Sequence, residues 1–152
     1  MKYWLMKTEP DECSIDDALA APKRITPWTG VRNYQARNFM LNEMQVGDGV
    51  LFYHSSCPEP GIAGIAEVAC AAYADKTQFD PKSDYYDPQS KKDKPRWFNV
   101  DVRALKKTPL IALAQLRAEK PLQKMVTLRP GNRLSITPVT EAEWNYIISK
   151  LL

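Results

Sequence analysis

Residues 97–105, "WFNVDVRAL", alternate strictly: Phe98, Val100, Val102 and Ala104 share one side, and Trp97, Asn99, Asp101 and Arg103 the other. Only a β-strand has a side-chain period of two, so this run requires a sheet with one face against a core. Upstream, "VLFYHS" (50–55) and "IAGIAEVAC" (62–70) are β-forming or small and apolar, and the Pro-rich "SCPEPG" separates them. They read as a hairpin with a wide loop, its second strand packed closely at Gly64.

The remaining elements fit around that sheet. Tyr3–Lys7 is an apolar run ended by "TEP" and reads as a buried first strand. Ser14 is placed to cap a short helix through about Ala20, and Tyr34, Ala36, Phe39, Met40 and Met44 have helical spacing within 33–44. A helix is expected over 110–119, a strand near 134–137, and a final helix through Ile148 started by a Thr140/Glu143 capping box. "PLQKMVTL" (121–128) has no clear type. The expected class is α+β: a mostly antiparallel, curved sheet or small barrel with helices packed on it. No internal repeat or boundary divides residues 1–152, which read as one domain.

Residues 75–95, "DKTQFDPKSDYYDPQSKKDKP", have no apolar period and three prolines. Excursions of this length inside a domain are often functional.

Several chemistries are excluded by what the chain lacks. Its single histidine, His54, cannot build a multi-histidine metal site, and Cys13, Cys57 and Cys70 have no zinc spacing. Phosphate-loop and dinucleotide glycine motifs are absent, so no cofactor is expected. A Cys57/His54 nucleophile pair lacks an orienting third residue, and an incidental thiol is the better reading. Glu67 interrupts an apolar strand and reads as exposed or paired, with Lys7 or an arginine, unless it lies in a cleft beside Lys7.

Unpaired cysteines point to a reducing compartment, and no apolar run reaches the length of a membrane span or a signal peptide. A cytoplasmic protein is expected, nuclear in a eukaryote. The net charge of +3 is compatible with a polyanion partner and predicts weak affinity for unmodified nucleic acid. Trp28, Tyr34, Tyr53, Tyr85, Tyr86 and Trp97 stand at element ends or in loops, near Asn33, Ser55 and basic residues. Such groupings suit a slot in which a flat base stacks.

The blocks "YWLMKTEP", "WTGVRNYQARNFM", "VGDGVLFYHSS", "PGIAGIAEV", "DPKSDYYDP", "PRWFNVDV" and "RLSITPVTEAEW" together resemble the EVE domain family of the PUA-like superfamily. The resemblance implies a pseudobarrel of five to six strands flanked by helices, with a pocket at one end. It also implies non-catalytic binding of a modified base in DNA or RNA through an aromatic-lined pocket, by a monomer.

Carried over by position, the implied pocket residues are Lys7, Thr8, Glu9, Trp28, Val31, Arg32, Asn33, Tyr34, Tyr53, His54, Ser55 and Trp97. Trp28 would form one wall and Trp97 or a tyrosine the other, with Asn33 and Ser55 reading the base edge. Arg32, Arg37, Lys91, Lys92, Lys94 and Arg96 would meet phosphates. On this reading Trp28→Ala abolishes binding at little cost in stability. The alternative implied by ASCH relatives is an amidohydrolase acting on an acylated cytidine through Lys7, Thr8 and Glu67. A third is a protein-interaction module.

Overall fold

The computed structural model describes all of residues 1–152. Six strands form one sheet: β1 (Tyr3–Thr8), β2 (Ile25–Pro27), β3 (Gly49–His54), β4 (Gly61–Val68), β7 (Asp101–Ala112) and β8 (Ile136–Val139). Their order is β2-β7-β4-β3-β1-β8, and the sheet does not close. Every pairing is antiparallel except β1 with β3. A separate two-stranded ribbon joins β5 (Tyr73–Ala74) to β6 (Phe98–Asn99). The α+β class and mostly antiparallel pairing follow the sequence reading.

The sheet is buried on both faces, which is why β1 reads Trp4-Leu5-Met6 without a polar break. Trp4 and Met6 point into one core, shared with α1 (Ile15–Ala20), with α2 (Tyr34–Asn38) and with the turn of π-helix, Phe39–Glu43, that continues it. Leu5 points into a second core under α3 (Leu113–Ala118) and α4 (Glu141–Tyr146), with Leu51, Ile62, Leu116 and Ile147. Capping boxes start both α1 and α4: Ser14 Oγ accepts from Asp17 N–H, and Thr140 Oγ1 from Glu143 N–H. A Cβ on Gly64 would stand 2.5 Å from Ile15 Cδ1 and 2.8 Å from Lys106 O, so only glycine lets α1 and β7 approach β4 there.

One expectation needs correction. The expected helix over 110–119 begins only at Leu113, because β7 runs on through Pro109 to Ala112. A strand can carry that proline because the β4 register jumps from Ile62↔Ile111 to Gly64↔Lys107, a bulge at which Pro109 owes no ladder bond. "PLQKMVTL" becomes two short 3₁₀ turns, Lys120–Leu122 and Val126–Leu128.

Candidate functional site

A cleft of about 850 Å³ opens at the carboxyl ends of the parallel pair β1 and β3. β1 and the segment after it supply Lys7, Thr8, Glu9, Glu12 and Cys13, and the end of β3 supplies Ser55 and Ser56. β2 and the turn after it contribute Thr26 to Asn33, and Tyr85, Arg133 and Ser135 complete the wall. Burial pushes the Lys7 ammonium below its ordinary range, and its Nζ lies 5.8 Å from the Tyr53 ring centroid.

Trp28 is only 6% exposed. Its ring meets Phe52 edge-on at 5.4 Å, and its backbone N–H donates to Val100 O at 2.9 Å. It is therefore a core residue that also faces the cleft. This corrects the expectation that truncating it would leave stability nearly unchanged.

The turn carrying Trp28 is held by a polar knot that composition gives no hint of. Asp75 is fully buried, and its Oδ2 accepts from Gly30 N–H at 2.8 Å and from Arg32 Nη1 at 3.1 Å. Its Oδ1 accepts from Thr77 N–H and Thr77 Oγ1 at 2.8 and 2.6 Å. Burial alone would raise this carboxyl, but the bonds from Thr77, Gly30 and Arg32 together hold it below the usual carboxylate range. Gln78, also fully buried, extends the knot: Nε2 donates to Asp75 O and Trp97 O, and Oε1 accepts from Arg96 N–H, Trp97 N–H and Ser90 Oγ. Residues 75–97 are thus ordered by buried polar side chains where an apolar period is missing.

Arg32 makes five hydrogen bonds, to Tyr85 O twice, Val31 O, Asp75 Oδ2 and Thr77 Oγ1. A guanidinium has five N–H groups, so none remains for a phosphate, and the expected phosphate role of Arg32 is replaced by a structural one. Tyr85 packs against Gly30, where an added Cβ would stand 2.6 Å from the ring; Gly30 has φ +83°. The Tyr85 hydroxyl donates to Glu12 Oε1 at 2.7 Å. That bond to a carboxylate, with burial and the surrounding acidic groups, pushes the phenol up to about 12.

From Tyr85 a column of rings and guanidiniums runs outward. The Arg32 guanidinium lies 5.5 Å from the Tyr85 ring and 5.4 Å from Trp97, Trp97 stacks on Tyr34 at 4.9 Å, and Arg37 lies 4.7 Å over Tyr34.

The implied pocket residues therefore separate. Lys7, Thr8, Glu9, Trp28, Val31, Arg32, Asn33 and Ser55 line the cleft together. Tyr34, Tyr53, His54 and Trp97 do not. Trp97 is buried, with Nε1 donating to Asp87 Oδ2 at 2.8 Å, and the 52%-exposed Tyr34 covers it. Tyr53 belongs to the core under α3 and α4, and His54 Nε2 accepts from Ile15 N–H at the start of α1. The second aromatic ring lining the cleft with Trp28 is Tyr85. Asn33 Oδ1 is occupied as the cap of α2, which leaves its amide N–H groups.

Arg37 donates to Asn38 Oδ1 and Arg96 O, and Arg96 pairs with Asp87 at 3.5 Å. Lys91, Lys92 and Lys94 stand exposed on the neighbouring turn. Glu67 pairs with Arg103 at 2.9 Å. It sits on the rung of Gly49 and Tyr3, four residues from the Lys7–Tyr53 rung, or roughly 13 Å along the strands. The Lys7, Thr8 and Glu67 set is not brought together.

Sequence reasoning missed Asp75, Gln78, Glu12, Arg133 and Ser135 as parts of this region. For Tyr85 a signal existed, an aromatic pair in a polar loop; for the others none did.

The EVE domain family model matches residues 2–150. The chain belongs to the EVE domain family. Human thymocyte nuclear protein 1 is 45% identical to this EVE chain over 165 residues, spanning 97% of the chain and 72% of the human protein. Among solved structures, a Pseudomonas syringae protein is similar at TM-score 0.93 and 43% identity, covering 99% of both chains. The human THYN1 protein in complex with 5-methylcytosine-containing DNA is similar at TM-score 0.93 and 42% identity, covering 98% of this chain and 96% of that one. An ASCH protein of Zymomonas mobilis, at 11% identity and TM-score 0.58, shares the fold alone.

Proposed function

We propose that this EVE chain, acting as one domain over residues 1–152, binds a modified base of a nucleic-acid strand in the cleft at the ends of β1 and β3, without chemistry on the base. The observation that carries the reading is the likeness of the whole fold to a human protein bound to 5-methylcytosine DNA, combined with a cleft walled by Trp28 and Tyr85. Its volume lies within the range of ligand sites, and a base stacked on an aromatic ring contributes about 1–3 kcal/mol.

The polar groups divide the work. Lys7, Ser55 and the free amide of Asn33 face the cleft and read the base edge. The cleft carries both signs, Glu9 and Glu12 beside Lys7 and Arg133, and on this reading it takes the base while the sugar-phosphate backbone stays outside. It runs along the face where Arg37, Arg96, Lys91, Lys92 and Lys94 gather beside Tyr34. Five cations meeting phosphates give a log–log salt slope of about −3.5 on a single strand, and selectivity is left to the base.

The test is a tryptophan-fluorescence titration with a short single-stranded oligonucleotide carrying one 5-methylcytosine, against the same sequence with cytosine. Saturable quenching, at least tenfold tighter for the methylated strand and lost in Tyr85→Ala, is expected. Equal affinity for both strands, or binding indifferent to Tyr85, would refute the reading.

A further inference from the structure

On the other side of residues 54–57 lies a second pocket, of about 490 Å³, within the size range of small-molecule sites. The β4/β7 bulge makes it: between Ile62↔Ile111 and Gly64↔Lys107 the single residue Ala63 faces three, Thr108, Pro109 and Leu110. Ala63, Leu110, Ile15 and Pro58 give it apolar walls.

Two polar groups in the wall are not used by the fold. Thr108 is 7% exposed, and its Oγ1 is buried without a hydrogen-bond partner, which is costly unless something completes it. His54 Nε2 accepts from Ile15 N–H at 3.1 Å, so the neutral ring carries its proton on Nδ1, a donor with no protein acceptor. At the rim Lys107 is already paired with Asp16 at 3.0 Å, so an anionic ligand finds no free cation, and Glu59 stands there as well.

We propose that this pocket binds a small uncharged molecule with an apolar body and one carbonyl-type acceptor, which His54 Nδ1–H and the Thr108 hydroxyl hold, and that its occupation changes the affinity of the cleft. The route between the two is short. Pro10, Ile15, Asp16, His54 and Cys57 line the pocket, while Glu9, Glu12, Cys13, Ser55 and Ser56, interleaved with them in the chain, line the cleft. The Ile15–His54 bond ties the two segments together. The coupling, but not the pocket, rests on the base-binding reading.

Benzamide is the probe, with toluene as its counterpart lacking the acceptor, followed by backbone amide chemical shifts in the whole protein. Saturable benzamide shifts centred on residues 15, 54, 63 and 108 are expected. Toluene should bind at least about fivefold more weakly, the worth of one hydrogen bond. Leu110→Trp, at a partly exposed wall position, should fill the pocket and weaken benzamide at least tenfold without unfolding. No saturable shift, or shifts untouched by Leu110→Trp, would overturn the site; equal binding of toluene would overturn the acceptor. For the coupling, saturating benzamide should change the affinity for the 5-methylcytosine oligonucleotide at least twofold. Unchanged affinity in a protein that binds both would overturn the coupling alone.

Discussion

Replacing Asp75 by alanine removes the acceptor of four hydrogen bonds at once, from Gly30 N–H, Thr77 N–H, Thr77 Oγ1 and Arg32 Nη1. The carboxylate is fully buried, while the Arg32 side chain keeps 21% of its surface exposed and can rehydrate in part. Breaking a buried pair by removing one partner costs about 3–5 kcal/mol, and Arg32's access to water places this case toward the lower end. At about 2–4 °C per kcal/mol for a chain of this size, a loss of about 3–4 kcal/mol should lower the melting temperature by roughly 6–16 °C. Asp75→Asn keeps one acceptor oxygen and should lose about half as much.

The loss should also be local. Gly30, Tyr85 and Trp97 are all tied through Asp75, Arg32 and Gln78, so amide exchange should accelerate at residues 75–97 before it does in β1, β3 or β4. Urea unfolding of the two variants, read with native-state hydrogen exchange, tests both parts. A loss under about 1 kcal/mol for Asp75→Ala, or unchanged exchange at 75–97, would refute the claim that this knot positions the cleft wall.

Trp28→Ala should cost about 3–5 kcal/mol in urea unfolding, since the ring is packed in the core against Phe52; a loss near zero would return Trp28 to the surface. Glu12→Gln should bring the Tyr85 phenol down from about 12 toward its ordinary value, measured by ultraviolet alkaline titration against Tyr85→Phe, and an unmoved titration would show the bond contributes nothing. Burial lowers His54, Asp16 raises it and Lys107 lowers it, with a net depression. A depressed group stabilises the fold above its unfolded pKa of about 6.5, and that stability is lost as pH falls through the folded value. Stability should decline below about pH 6.5 in wild type, with a shallower slope in His54→Gln; parallel slopes would exclude His54 as the cause.

Where a residue's place depends on its neighbours in sequence, the chain was readable. β-forming or small apolar runs located β3 and β4, period-two alternation located β7, and Ser14 and Thr140 located two helix starts, because each signal lies within one turn or one strand. β7 was cut short because Pro109 looks like a boundary unless the bulge opposite Ala63 is known, and that bulge is a long-range fact. The cleft was partly legible, since Lys7 to Glu9 and Trp28 to Asn33 are contiguous blocks at the ends of two strands. Trp97 was misplaced for a physical reason: alternation puts it opposite the core-facing residues, but the knot folds a polar loop over that face and buries it beneath Tyr34. Arg32 likewise reads as a free cation until Asp75, 43 positions away, is seen to hold it.

In the proposed base-binding mode Trp28, Tyr85, Lys7 and Ser55 surround the modified base. The most direct test of this mode is chemical-shift mapping of the isotopically labelled protein against a single-stranded oligonucleotide with one 5-methylcytosine, including the tryptophan indole signals. Saturable perturbation centred on residues 7, 28, 55 and 85 is expected, with weaker effects on Arg37 and residues 91–96. Perturbation confined to the basic turn, with the Trp28 indole and Tyr85 unmoved, would contradict it.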